Sequence, residues 1–255
     1  MLNIMELLKK IGRYRSLIIV LFLILCINIY VVFDENTTLF KVSKLIVIPI
    51  FLVMYFHKMK YMANVFFMIF VCFFLGDAFD VFNFSAVTLQ LSMVLYIASY
   101  LFLIFVLLGK FKRVKFEGIV SLYLILIFIL NSYFLYVLYD VVQSSMIDRI
   151  NLVLIVARGI SLLCMGFLAF AVYLSNESKQ SIIFLAMSFC FLFSDVLYFV
   201  NQLYVYYWLF ELFDKVLHLV GFALLFVYVT NHHRKTKDKY IIKSKRVEAS
   251  ENLIA

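Results

Sequence analysis

Residues 62–82 read MANVFFMIFVCFFLGDAFDVF. From Val65 to Leu75 every side chain is apolar, and only then do Gly76, Asp77 and Asp80 interrupt the run. A helix half-exposed to water shows an apolar stripe and a polar face, whereas one apolar on every side is buried in a core or in a membrane. The stretch is also about the ~20 residues needed to cross the hydrocarbon of a bilayer. Because backbone polar groups in lipid must find partners within their own segment, the run is predicted to be a helix and not a strand.

The rest of the chain repeats this pattern. Of its 255 residues 66% are hydrophobic and 15% charged, and mean hydropathy is +1.05. Soluble domains hold about 45–50% apolar and about 25% charged residues, so a water-facing globule is excluded. With 30 Phe and 17 Tyr against 7 Gly and 1 Pro, disordered and collagenous chains are excluded as well. Apolar runs cover 17–33, 38–56, 62–82, 86–108, 118–139, 151–174, 181–202 and 205–230. The expected fold is therefore all-α, a polytopic membrane protein with eight transmembrane helices. Its organisation is a basic N-terminus (1–16), a membrane domain (17–230) and a basic tail (231–255). The first run follows Lys9, Lys10, Arg13 and Arg15 as a signal peptide would, but no small-residue cleavage site follows it, and it is read as a retained helix.

The formal net charge of +8 does not indicate nucleic acid. Most of the basic residues fall before helix 1, in the loops after helices 2, 4 and 6, and in the tail. The opposite loops carry Asp34, Glu35, Asp140 and Asp148. Basic loops stay in the cytoplasm, so both termini are expected there, in a plasma membrane of bacterial inner-membrane type. The tail reads as a solvated stop-transfer segment that can touch anionic headgroups. Cys26, Cys72, Cys164 and Cys190 lie singly inside apolar runs, as small buried hydrophobes and not as a disulfide or zinc framework. No metal-ligand spacing, GxSxG or HExxH occurs, and no cofactor is implied.

Charged residues nonetheless remain inside the spans: Lys44, Asp77, Asp80, Arg158, Asp195, Glu211, Asp214 and Lys215, joined by His218. A charge at the bilayer centre costs about 2.5–3.5 kcal/mol on insertion scales, so such residues face a bundle interior or a wet cavity. At about 1.5 Å per residue, Lys44, Asp77, Asp195 and Glu211 fall roughly 9–10 Å below the outer boundary, and Arg158 and Asp214 roughly 12–14 Å below it. They form one layer in the outer half, above an inner half that is almost purely apolar. A channel or proton wire would need polar groups along its whole length. The same offset separates Phe73-Phe74-Leu75-Gly76-Asp77 from Phe191-Leu192-Phe193-Ser194-Asp195, and nearly the same one separates Lys44 from Arg158. Two parallel four-helix halves about an axis along the membrane normal would produce both offsets.

Two carboxylates at equal depth, Asp77 and Asp195, flanked by Lys44 and Arg158, suit acid–base chemistry. With unequal neighbours they can hold different protonation states near neutrality, one as general acid and one as general base. The plainer alternative is that Lys44 and Arg158 pair with them only to specify helix packing. Glu211, Lys215 and His218 share one helical face and are expected to line the same cavity, unless Glu211 and Lys215 merely neutralise each other. Asp80, near the boundary, reads as a solvated helix end. Tyr198, Tyr204, Tyr206, Tyr207 and Trp208 read as an interfacial aromatic belt.

The Lys early in helix 2, Gly76-Asp77 late in helix 3 and Ser194-Asp195 in helix 7 resemble the YhhN / TMEM86 (lysoplasmalogenase-like) membrane protein family over residues 38–230. Leu45 stands where that family tends to have Pro after the Lys, and Ser92-Met93-Val94-Leu95-Tyr96 lacks the family's helix 4 His. The resemblance implies hydrolysis of the vinyl-ether bond of a lysoplasmalogen, releasing a fatty aldehyde. Asp77 and Asp195 would be the acid–base pair, and Lys44, Arg158, Glu211 and Lys215 would bind the lysophospholipid substrate, the phosphate by charge-assisted hydrogen bonds to Lys44 or Arg158. Other classes remain: a solute or lipid transporter using the same cavity, a membrane scaffold, and a retinal-type pigment on Lys215.

Overall fold

The computed structural model describes residues 4–34, 37–59, 61–111, 119–145, 149–175, 178–203 and 206–251. It contains eight helices and no strand among these residues: α1 (Ile4–Asp34), α2 (Thr37–Lys58), α3 (Asn64–Val81), α4 (Ala86–Phe111), α5 (Ile119–Ser145), α6 (Arg149–Ser175), α7 (Lys179–Leu203) and α8 (Trp208–Glu251). Each expected apolar run is a helix. Among the described residues, Asn64–Val81, Ala86–Lys110, Arg149–Ser175, Lys179–Gln202 and Trp208–His233 are long and apolar enough to cross a membrane, and Ser16–Val32 is a shorter apolar stretch. The chain is a multi-pass α-helical membrane protein. Exposed apolar side chains are numerous on its outer surface, Phe22, Val53, Phe105 and Leu126 among them, as lipid contact requires.

Helix starts are set by local chemistry where the loops are short. Ser85 and Thr88 cap α4 reciprocally: the Thr88 N–H donates to Ser85 Oγ (3.4 Å) and the Ser85 N–H to Thr88 Oγ1 (3.1 Å). Ser178 and Ser181 do the same for α7, at 3.1 and 2.9 Å. At the other end of the chain, α8 runs on to Glu251, through a tail in which the sequence shows no apolar periodicity. The segment from Phe222 to Glu251 contains neither Gly nor Pro and is rich in Lys and other adequate helix formers, so nothing breaks the helix where the apolar span ends.

α3 packs on α4, α4 on α6, α6 on α7 and α7 on α8, while α2 bridges α3 and α8. α1 lies against α2 and α8, and α5 lies mainly against α6. At the centre Phe73 of α3 stacks on Phe191 of α7, with ring centroids 5.2 Å apart and planes at 24°. Phe222 of α8 meets both edge-on, at 5.1 and 5.4 Å. All three are fully buried. Phe73 lies one turn before Asp77 and Phe191 one turn before Asp195, so this aromatic layer fixes the two helices at the depth where their carboxylates begin.

Candidate functional site

The polar residues of six helices, α2, α3, α4, α6, α7 and α8, with Asn28 of α1, converge on one cavity of about 600 Å³, within the range of small-molecule sites. Every residue singled out in the sequence lines it: Lys44, Asp77, Arg158, Asp195, Glu211 and Lys215, with Asp80, Asp214 and His218 beside them. Asp77 and Asp195 therefore face a shared space.

On the α2–α3–α4 side, Asp77 is buried and its Oδ1 accepts a short hydrogen bond from the Tyr96 hydroxyl. Tyr96 reaches it because α4 lies close to α3 at Gly76: Ser92 Oγ donates to the Gly76 carbonyl at 2.8 Å, and a Cβ on Gly76 would already touch the Tyr96 ring at 3.4 Å. Lys44 sits 3.9 Å from Asp77 but donates to Asp80 Oδ2 at 2.5 Å. Asp80 is thus an ion-pair partner in the cavity wall and not a solvated helix end. One turn of helix separates it from Asp77, which lets one ammonium serve both.

On the α6–α7 side, Arg158 grips Asp195 with two parallel bonds, Nε to Oδ2 at 2.6 Å and Nη2 to Oδ1 at 2.7 Å. The Tyr100 hydroxyl adds a longer contact to Oδ2, 3.3 Å. Both partners are buried, and fork-to-fork geometry is what makes such a pair tolerable away from water. The guanidinium carbon also lies 4.1 Å from the Tyr96 ring centroid, a cation–π contact. Tyr96 therefore couples the two halves of the site, its hydroxyl on Asp77 and its ring face under Arg158. Sequence reading passed over it because an uncharged tyrosine in a Tyr-rich chain gives no signal.

α8 supplies the remaining wall. Lys215 donates to Glu211 at 2.8 Å, and the Tyr206 hydroxyl to the other Glu211 oxygen at 2.9 Å. Glu211 and Lys215 thus both line the cavity and pair with each other, so the two readings of that face hold together. Tyr206 and Tyr198 border the cavity too, while Tyr207 and Trp208 are exposed as a belt requires; Tyr204 lies outside the described residues. One turn deeper, Ser194 Oγ donates to Asp214 Oδ1 at 2.5 Å and lies 3.3 Å from His218 Nδ1. Among the described residues His218 Nε2 has no hydrogen-bond partner, and its ring is boxed by Phe222 (4.8 Å) and Phe191 (5.6 Å). Among the described residues no three His, Cys, Asp or Glu side chains converge as a metal site.

The arrangement combines buried carboxylates in unequal surroundings, the cations Lys44 and Arg158, and the ring of Phe222 in the wall. It can transfer protons to and from a bound molecule that is part polar and part apolar. No protein-family profile, curated protein or solved structure matches the chain.

Proposed function

We propose that the protein is a membrane hydrolase of the lysoplasmalogenase kind, cleaving the vinyl-ether bond of a single-chain lysophospholipid, as its resemblance to the YhhN family implies. Its eight helices all cross a bacterial inner membrane, with both termini cytoplasmic and the cavity in the outer half. The observation that carries this is the shared cavity: Asp77 and Asp195, from distant stretches of chain, line one space together with Lys44 and Arg158. Phe222, Val47, Leu89 and Leu219 in the cavity wall give an acyl or alkenyl chain an apolar surface.

The chemistry balances with carboxyl groups alone. A carboxyl O–H breaks as its proton adds to the β-carbon of the vinyl ether, and the ether oxygen's lone pair completes an oxocarbenium ion. Water adds to that cation while a second carboxylate takes the water's proton. The hemiacetal then loses its hydroxyl proton to the first carboxylate, and its C–O bond breaks with protonation of the leaving oxygen by the second. An aldehyde and a glycerol hydroxyl leave, and both carboxyls return to their starting states. Asp77 is one of the two, oriented by Tyr96. Arg158, fixed by Asp195, and Lys44, fixed by Asp80, offer N–H donors to the phosphate, and the Glu211–Lys215 pair flanks the headgroup.

Purified protein in detergent, given vinyl-ether and ester lysolipids of equal chain length, should release aldehyde from the first and nothing from the second. Asp77→Asn, with an unchanged melting transition, should lower turnover about 10²–10⁴-fold, the usual worth of a general acid or base. Wild-type turnover by that variant would remove Asp77 from the chemistry. A transporter using the same cavity needs a path onward to the cytoplasm, which the buried aromatic layer obstructs.

A further inference from the structure

Five carboxylates line the cavity: Asp77, Asp80, Asp195, Glu211 and Asp214. Four are engaged by cations, Asp77 and Asp80 by Lys44, Asp195 by Arg158 and Glu211 by Lys215. Asp214 alone, among the described residues, has none. Its Oδ1 accepts from Ser194, and its second oxygen is left to the cavity. A proton donor must hold its proton between turnovers and must reach the substrate with an oxygen not already spoken for. Protonating any of the other four would break an ion pair, and Asp195 has both oxygens taken by the Arg158 fork. Protonating Asp214 breaks nothing.

We infer that Asp214 is the proton-donating carboxyl of this cavity, partner to Asp77, while Asp195 serves as the anchor that holds Arg158. The inference rests on the ether-hydrolysis reading for the identity of the proton acceptor, the vinyl-ether β-carbon. Ser194 is a positioning residue: its hydroxyl occupies Oδ1 and leaves Oδ2 to meet the substrate. Its place next to Asp195 on α7 ties the donor to the anchored half of the site. His218, one turn along α8, closes the other side of Ser194. The O–H of Asp214 breaks as the new C–H bond forms, and the hemiacetal's hydroxyl proton later restores it.

Two measurements on the full-length protein test this. In the first, Asp214→Asn and Asp214→Glu are assayed on the vinyl-ether lysolipid beside wild type, with melting transitions as the folding control. Asp214→Asn should lose about 10²-fold or more in kcat, and Asp214→Glu should recover part of it. Ser194→Ala should show a smaller loss in kcat, with KM little changed. The second needs no variant. Wild-type protein is treated with dicyclohexylcarbodiimide, an apolar reagent that adds to a protonated carboxyl, and the modified residue is located by peptide mass spectrometry. Asp214 should carry the adduct and Asp195 should not. A folded Asp214→Asn protein with wild-type turnover overturns the inference, as does labelling of Asp195 with Asp214 spared. If wild type releases no aldehyde, the vinyl-ether reading fails by itself, and the labelling pattern alone upholds or overturns Asp214 as the proton-exchanging group.

Discussion

Arg158 shows how much of this site depends on single side chains. Its guanidinium is bound by Asp195 and stacked on Tyr96, so Asp195→Asn leaves a buried cation without its counter-charge. Breaking such a pair from one side costs roughly 3–5 kcal/mol, and a thermal melt in detergent should show a large drop for that variant; a melt equal to wild type would mean that water already reaches the pair. The charged members of the cavity were legible in the sequence because each violates the apolar rule of its span. Their pairing was not. Lys44 and Asp80 meet across 36 positions of chain, and nothing in the sequence shows that the Tyr96 hydroxyl reaches Asp77 or that Ser194, quoted there only beside Asp195, donates to Asp214.

At the scale of elements, α7 and α8 approach closely enough that a Cβ added at Gly221 would stand 2.8 Å from the Phe191 ring. Phe191 is fully buried and stacked on Phe73, so it has little room to yield. Gly221→Ala should therefore destabilise by about 1–3 kcal/mol, the usual cost of overpacking. Because Phe191 lies one turn from Asp195 and against His218, turnover should fall with it. An unchanged melt and unchanged turnover would show that the α7–α8 contact is looser than drawn. The helices themselves followed from run length and from the need to satisfy backbone groups in lipid. The helical tail of α8 did not, since propensity without an apolar stripe leaves helix and coil equally open to a reader of sequence.

Across the whole molecule, the offset shared by Phe73/Phe191 and Asp77/Asp195 has a spatial counterpart, because those two phenylalanines stack on each other at the centre. Helix neighbours repeat as well: α1–α2, α2–α3 and α3–α4 are matched by α5–α6, α6–α7 and α7–α8, and α2–α8 by α6–α4. The match fails at the periphery, where α1 touches α8 but α5 leans on α6 and slightly on α7. The proposed eight crossings make a side-specific prediction. In protein with its four cysteines replaced, Phe84→Cys, in the exposed turn between α3 and α4, should react with an impermeant maleimide on intact cells. Lys58→Cys, at the other end of α2, should react only after permeabilisation. Labelling of both from one side would break the alternation on which the topology stands.

The most direct measurement is hydrolysis of a vinyl-ether lysolipid by the purified protein in deuterated water. Proton transfer from a cavity carboxyl to the β-carbon predicts one deuterium on the carbon next to the carbonyl of the released aldehyde, with Asp77→Asn suppressing the product. Absence of aldehyde, or an aldehyde without deuterium at that carbon, would contradict the account.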